Sequence, residues 1–236
     1  MTPTDADALL VHLSGTPLFQ DLTDAAIHDM LRHMRRERWH KRAQVMPAAE
    51  TAERFYVLSS GRVRIEAEHP SSGRAVTLYL LATGDGHNLV TLFDGRPHRV
   101  LAETLDAVEA VSAPIGLWHA WMQQHPALRS ALVRTAAMRL RELTELAEDL
   151  ALHETSARLA HLLLRHLDSE QSSGGLLHGL VHEDIARLIG SVRVVVNRLL
   201  NRFKQEGVIA TEAGHIHITD LEALLHKAER RLRRHD

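Results

Sequence analysis

The stretch HEDIARLIGSVRVVVNRLLNRFKQEGVI, His182 to Ile209, constrains this chain more than any other part of it. Two short amphipathic segments meet at a glycine, and the second has two faces of opposite character. A short helix is expected over Glu183–Ile189, with Ile185, Ala186 and Leu188 packing and Asp184 and Arg187 facing out. Gly190 supplies the tight turn. A second helix is expected over about Val192–Glu206. There Val196, Leu199, Leu200 and Phe203 recur at i, i+3, i+4, i+7 and form a buried stripe. Arg193, Val194, Asn197, Arg198 and Asn201 fall on the opposite face, with Arg202 and Lys204 on the flanks. No acid occurs between Ser191 and Gln205, so the segment is a local cationic patch, and Gly207 ends it. VIATEAGHIHITD then reads as a two-stranded wing turning at Ala213–Gly214, followed by a closing helix. A helix–turn–helix with a basic face and a wing suits the major groove of double-stranded DNA. Its candidate contacts are Ser191, Arg193, Val194, Asn197, Arg198, Asn201, Arg202 and Lys204. A helical pair that merely packs is the plainer reading, and it leaves these coincident features unexplained.

The rest of the composition limits the alternatives. A chain of 236 residues is comfortable for two domains, and a formal charge of −2 means that any nucleic-acid surface is a local patch. There is no cysteine, which excludes disulfides, thiolate metal sites and cysteine-ligated iron–sulfur clusters. MTPTDADALL lacks the basic start and apolar run of a signal peptide, and no stretch approaches the roughly 20 apolar residues of a membrane span. A soluble, cytoplasmic protein with no membrane partner is expected. The 18 histidines are scattered through the whole chain, which reads first as compositional drift.

Upstream, residues 1–35 look helical, with Ile27, Met30, Leu31 and Met34 on one stripe and Asp21 or Thr23 as cap. From about Trp39 to Ala113 short β-rich runs are broken by SSG, PSSG and TGDG turns. In GRVRIEA, Val63 and Ile65 alternate with Arg62, Arg64 and Glu66 as in a half-buried strand, and HRVLAETLDAVEAVSA gives two more strands. The expected class is α+β, with an antiparallel barrel or sandwich first. A long helix follows over about Pro126–Asp168, with a break near His153–Ser156. Leu128, Leu132, Ala136, Leu140, Leu143, Ala147 and Leu150 form an apolar seam along it. Such a seam packs either on the chain's own barrel or, as favoured here, on a second copy, with Leu132, Ala136, Leu140, Leu143, Ala147 and Leu150 at a homodimer interface. DSEQSSGG, residues 168–175, reads as a linker. The expected domains are residues 1–125, a helix and hinge over 126–168, and residues 169–236.

DIARLIG, the Arg193 position, NRLLNRFKQEGVI and GHIHITDLEAL resemble the DNA-binding domain of the Crp/Fnr superfamily of bacterial transcription regulators. PLFQDL, FYVLSSGRVRI, LLATGD and Leu92–Phe93 resemble its amino-terminal sensor. The resemblance covers nearly the whole chain and is looser in the barrel. It implies a homodimer with a jelly-roll sensor of cyclic-nucleotide-binding type, a long dimerisation helix and a winged helix–turn–helix, and RNA polymerase as a partner if the protein activates. Arg198 matches the family arginine that reads guanine, and Arg193 another frequent DNA-contacting arginine. Val194 stands where the family often has an acid that helps read a C·G pair. A valine accepts nothing from cytosine but packs on a thymine methyl. Asn197 pairs with adenine or holds phosphate; the sequence leaves both open. His182 replaces the usual serine or threonine cap of the first helix.

The sensor also departs from the family. Cyclic-nucleotide-binding members carry Gly-Glu and then Arg-Ser after GD, the glutamate for the ribose and the arginine for the phosphate. Here Asn88–Leu89 and Arg99–Val100 stand in those places. Only Arg99 survives, which argues against cyclic AMP, since each stranded hydroxyl costs ~1–3 kcal/mol. Another small ligand, haem, or no effector remains. Some family members hold haem through a histidine, and on that reading the protein is a haem-based sensor of NO or CO; His87 lies inside the altered cassette as the candidate iron ligand, with His12, His28, His33, His40, His119 and His125 behind it. For any one of these a solvated or core histidine is the plainer reading. His215 and His217 share one face of the wing, but a metal there lacks a third ligand. The rival of a different class is a cupin-type metal enzyme. The only His-x-His lies in the wing rather than the barrel, HEDIA is not His-Glu-x-x-His, and no nucleophile elbow or phosphate loop occurs.

Overall fold

The computed structural model describes residues 9–47, 52–165, 179–212 and 215–229. The expected linker at 168–175 and the wing turn at 213–214 lie outside them. The chain divides into two compact units. The first takes the described residues up to Glu68 and Tyr79–Glu142; the second takes His69–Leu78 and the described residues from Leu143 onward.

The first unit opens with helical residues 9–13, then α1 (Asp24–Arg32). Of the two expected caps it is Thr23 that serves: its hydroxyl accepts from the Ala26 amide at 3.3 Å. The stripe Ile27, Met30, Leu31 and Met34 is buried as its spacing requires. Strands β1 (Arg35–Trp39), β2 (Gln44–Val45), β3 (Arg54–Ser60), β4 (Val63–Glu68), β5 (Ala75–Leu81), β6 (Gly86–His87), β7 (Leu101–Thr104) and β8 (Val108–Pro114) form two four-stranded sheets, ordered β1-β8-β3-β6 and β2-β7-β4-β5. Pairing is antiparallel wherever the register is defined, for example Phe55↔Ala113 and Ile65↔Ala102. Helix α2 (Leu89–Asp94) interrupts the strands, and α3 (Ile115–Gln124) leads into α4 (Pro126–Leu152). Phe55, Trp118 and Trp121 stack edge to face, with centroids 4.7 and 5.4 Å apart, in a core that also takes Leu128, Ala131 and Leu132 from the start of α4.

Strand β4 corrects the half-buried expectation. Its first four residues are all buried, with Arg64 at 1% and Glu66 at 2% exposure. These charges are tolerated because they meet each other: Arg64 Nε lies 3.0 Å from Glu66 Oε1, and Arg64 Nη2 lies 2.9 Å from Glu103 Oε2 on β7. Farther along α4, Arg139 lies 4.7 Å over the Tyr79 ring, donates to the Leu80 carbonyl at 3.2 Å and pairs with Asp85 and Glu142.

In the second unit α4 ends at Leu152, and α5 runs over Thr155–Arg165, so the expected break near His153 is present. The remaining elements are α6 (His182–Leu188), α7 (Arg193–Gln205), β9 (Ile209–Glu212), β10 (His215–Ile218) and α8 (Leu221–Ala228), the last capped by Asp220. Their core joins Leu159, Leu162 and Leu163 to Ile185, Ile189, Val196, Leu200, Phe203 and Leu224.

Candidate nucleic-acid interface

Helix α7 is the candidate interface because its sequence separates two faces. Val196, Leu199, Leu200 and Phe203 are buried at 0–8% exposure, the stripe expected from their spacing. Arg193, Val194, Asn197, Arg198, Asn201, Arg202 and Lys204 are exposed, and Ser191 is half-buried in the turn before them. Val194 is 70% exposed, an apolar side chain held out among cations. Val192, the residue before the helix, offers no side-chain cap, and the first turn holds no acid. The positive end of the helix dipole therefore meets neither a capping side chain nor a first-turn acid. At the other end Gly207 adopts φ +70°, and the Val208 amide returns to the Phe203 carbonyl at 2.9 Å. The cations are not equivalent. Arg202 faces Glu206 at 3.9 Å, and Glu206 also holds Lys227, so part of the charge on that flank is already met.

The helix before the turn departs from expectation in two ways. Val181, not His182, stands at its cap position, and His182 is its first helical residue. Asp184 is buried at 2% exposure rather than facing out, because its carboxylate folds back to accept from the Val181 amide at 3.1 Å. An acid in the first turn thus serves where a capping hydroxyl is missing.

The turn itself is crowded. Gly190 has φ +60°, and a Cβ built there would lie 2.5 Å from Leu150 Cδ2 and 3.8 Å from Val76 Cγ2. Arg74 Nη2 donates to the Gly190 carbonyl at 3.3 Å. Gly190→Ala is therefore expected to cost about 1–2 kcal/mol through the left-handed backbone, and more if Leu150 does not turn away; urea unfolding of the variant measures it. Strands β9 and β10 pair antiparallel with Ile216↔Thr211 and His217↔Ala210. His217 is exposed, and the side chain of His215 is outside the described residues.

The seam residues on α4 separate. Leu132 is buried at 0% within the first unit's core, so it is not available to a partner in this conformation. Ala136 and Leu143 are half-buried, Ala147 is exposed, and Leu140 and Leu150 are 67% and 37% exposed. Val133, at 54%, and Met138, at 56%, add exposed apolar surface that the sequence reading left out.

In the sensor cassette, Asn88 takes φ 85° and its side chain donates to the Arg54 carbonyl at 3.0 Å. Leu89 is buried and Arg99 is exposed. His87 is 2% exposed, and its Nδ1 has no hydrogen-bond partner. Burial, then the nearby charges of His98 and Arg139, push its pKa down to about 4, so the ring is neutral over the physiological range. Of the reserve histidines, His119 Nε2 lies 2.8 Å from the Leu92 carbonyl and His33 Nδ1 lies 2.9 Å from the Asp29 carbonyl, contacts that bind the chain to itself.

One constellation escaped the sequence reading. Asp149 near the end of α4, His153 just beyond it and His161 on α5 come together, with Arg165 against the outer oxygen of Asp149. The only local signal was an acid and a histidine four residues apart at a helix end.

An antiparallel β-roll, a 27-residue helix and a winged helix–turn–helix with an acid-free exposed face define a DNA-binding transcription regulator with a sensor-type domain. Known proteins agree. Residues 157–227 match the family model of the Crp-like helix-turn-helix domain. The chain is 31% identical over 196 residues to transcriptional regulator LdrP of Thermus thermophilus, covering 81% of this chain and 96% of that one. It is 29% identical over 220 residues, 92% of this chain and 98% of the relative, to the CRP-like cAMP-activated global transcriptional regulator of Mycobacterium tuberculosis. A CooA mutant from Carboxydothermus hydrogenoformans superposes with TM-score 0.72 at 22% identity, over 85% of this chain and 90% of that one, and shows the shared fold. The chain belongs to the Crp/Fnr superfamily. Its relatives are transcription regulators, and the rival reading as a cupin-type enzyme falls with that result.

Proposed function

We propose that the protein is an effector-responsive homodimeric regulator that reads a roughly palindromic duplex. Its half-sites would lie about one helical turn apart, ~34 Å, with one α7 in each major groove. The observation that carries this is the two-faced α7, with Arg193, Val194, Asn197, Arg198 and Asn201 out and Val196, Leu199, Leu200 and Phe203 in. The exposed apolar run of α4 around Val133, Leu140 and Ala147 supports the homodimer. RNA polymerase is the further partner if the protein activates. No helix among the described residues is long and apolar enough to cross a membrane, in keeping with a cytoplasmic regulator.

Within α7 the roles divide by chemistry. Arg198 carries two parallel donors for guanine O6 and N7, Val194 packs on a thymine methyl, and Arg202 and Lys204 hold phosphates. Arg198→Ala is expected to cost ~1–3 kcal/mol on the preferred site and to relax base choice at one position. Arg202→Ala weakens all sequences about equally, and Val194→Glu shifts preference toward a C·G pair. Selection from a random duplex pool separates these outcomes. An unchanged profile for Arg198→Ala removes α7 from the groove.

The effector is proposed to be something other than cyclic AMP. One relative is named as cAMP-activated, but here Leu89 replaces the ribose partner that the family resemblance implies, and Arg99, which matches the phosphate partner, is exposed. Haem on His87 is the reading that fits less well. The neutral, unpartnered Nδ1 suits a ligand atom, yet the surroundings are closed: the ring is 2% exposed, and a Cβ on neighbouring Gly86 would lie 2.4 Å from the Phe55 ring. This close packing argues against a macrocycle beside His87, and the non-haem alternative is favoured. A Soret band unlike that of free haem in the reconstituted protein, lost in His87→Ala, would reverse the choice.

A further inference from the structure

We infer that Asp149, His153 and His161 form a binding site for a divalent transition metal of the Zn²⁺ type at the junction of α4 and α5. One carboxylate oxygen and one nitrogen from each ring lie within 4.8 Å of one another. His161 is the informative residue. Its Nε2 lies 2.9 Å from the Ala228 carbonyl, which can only accept, so Nε2 carries a hydrogen. Its Nδ1 lies 2.5 Å from Asp149 Oδ1, which also only accepts. With Nε2–H fixed, a neutral His161 would aim a lone pair at a carboxylate, and a cation belongs between them, either a proton or a metal ion.

Three further observations favour the metal. His153 brings a second ring to the same place, edge to face with His161 at 4.7 Å, and its Nδ1 is buried without a hydrogen-bond partner. A proton shared by Asp149 and His161 gives the His153 ring no role, whereas a metal ion takes one of its nitrogens. The outer groups are those that orient ligands in metal sites: a backbone carbonyl on the far nitrogen of His161, and Arg165 Nη2 at 2.9 Å from the outer oxygen of Asp149. His153 also lines an open cleft of about 680 Å³ with Leu150, Thr155, Ser156 and Arg158, which gives an ion and its remaining water ligand a way in.

The fit asks for small movements. Ligand atoms around tetrahedral zinc sit about 3.3 Å apart, from bond lengths near 2.0–2.1 Å. The Asp149–His161 contact must open by under an ångström, and His153, just beyond the last turn of α4, must swing in. Charge balances simply: the ion enters as M²⁺, the proton on His161 Nδ1 leaves to solvent, and Asp149 remains a carboxylate. Nitrogen and oxygen donors of this kind suit Zn²⁺, Co²⁺ or Ni²⁺ rather than Mg²⁺ or Ca²⁺. A bound ion would tie the end of α4 to α5, the helix whose leucines share a core with α6 and α7. This inference does not rest on the DNA-binding assignment, since it is read without DNA.

The test uses the full-length protein, stripped with a chelator and titrated with Co²⁺ and then Zn²⁺. The expected result is the visible absorption of tetrahedral Co²⁺ at roughly one ion per chain, bleached by Zn²⁺, with proton release and a higher Tm. His153→Ala is expected to weaken uptake at least tenfold while leaving the Asp149–His161–Arg165 contacts and the far-ultraviolet circular dichroism intact. His153→Gln serves if the alanine variant does not fold, and His217→Ala, on the exposed wing, is the control. No tetrahedral Co²⁺ spectrum overturns the inference and leaves a proton between Asp149 and His161. Uptake unchanged in the His153 variant overturns it as well, because the ion would then sit on other histidines.

Discussion

Leu140→Asp is expected to lower affinity for the full palindromic duplex by about 10²–10⁴-fold, while affinity for an isolated half-site hardly changes. Leu140 is 67% exposed on α4, with Val133 one full heptad before it and Ala147 one after it. Two such helices packed together would place a carboxylate in a desolvated apolar seam, where nothing repays its lost hydration. The dimer would separate, and each reading head would bind alone. What is lost is the effective concentration that the first bound head confers on the second, so the effect is large although no DNA contact is touched. Sedimentation of the variant, with binding to full and half sites in parallel, checks it. A stable dimer with unchanged operator affinity moves the seam elsewhere on the chain.

A loss of about 3 kcal/mol of folding stability between pH 7 and pH 4 is expected from His87 alone. In the unfolded chain this ring takes a proton near pH 6.5, whereas in the folded chain burial, with His98 and Arg139 nearby, holds its pKa down at about 4. Between those values the unfolded state binds more protons than the folded one, so stability rises with pH across the window and falls as the solution is acidified. The contribution is complete above the unfolded pKa and gone below the folded one. Urea titrations at several pH values measure the slope, and His87→Leu, close in volume, should flatten it. An unaltered slope in that variant would mean that His87 is not the buried, neutral ring described above.

The reading head was legible because its signals are local. The spacing of Val196, Leu199, Leu200 and Phe203 fixes one helical face whatever lies around it, and those four are the buried ones. A cap at Asp21 or Thr23, of which Thr23 serves, and the break near His153 were legible for the same reason. The failures share a different cause. Alternation in β4 reports polarity, not satisfaction, and the partner that lets Arg64 be buried is Glu103, far along the chain on β7. Asp184 looked like a surface acid because its use, the Val181 amide, lies in the backbone, which sequence patterning does not register. Leu132 and Leu140 carry the same residue type on one seam, yet one fills the first unit's core and the other faces out; the periodicity of α4 shows that a stripe exists without showing what covers each part of it. Asp149, His153 and His161 come from two helices and the turn between them, and their meeting depends on how α5 folds back after the break.

The crowding at Gly190 bears on engineering. A chimaera that transplants only the helix–turn–helix, cut at the expected linker at 168–175, would part Gly190 from its upstream neighbours: the Arg74 donor to its carbonyl, and the Leu150 and Val76 side chains that crowd the turn, all lie before such a cut. The same cut separates Ala228 from His161. A working graft would have to bring the hairpin tip at His69–Leu78 and the helix from Leu143 onward as one piece, the segments that form a single unit with the head. The portable part of this regulator is therefore discontinuous in sequence, and recombination between relatives at the obvious polar joint should yield heads that fold with a loosened turn and misplace the recognition helix.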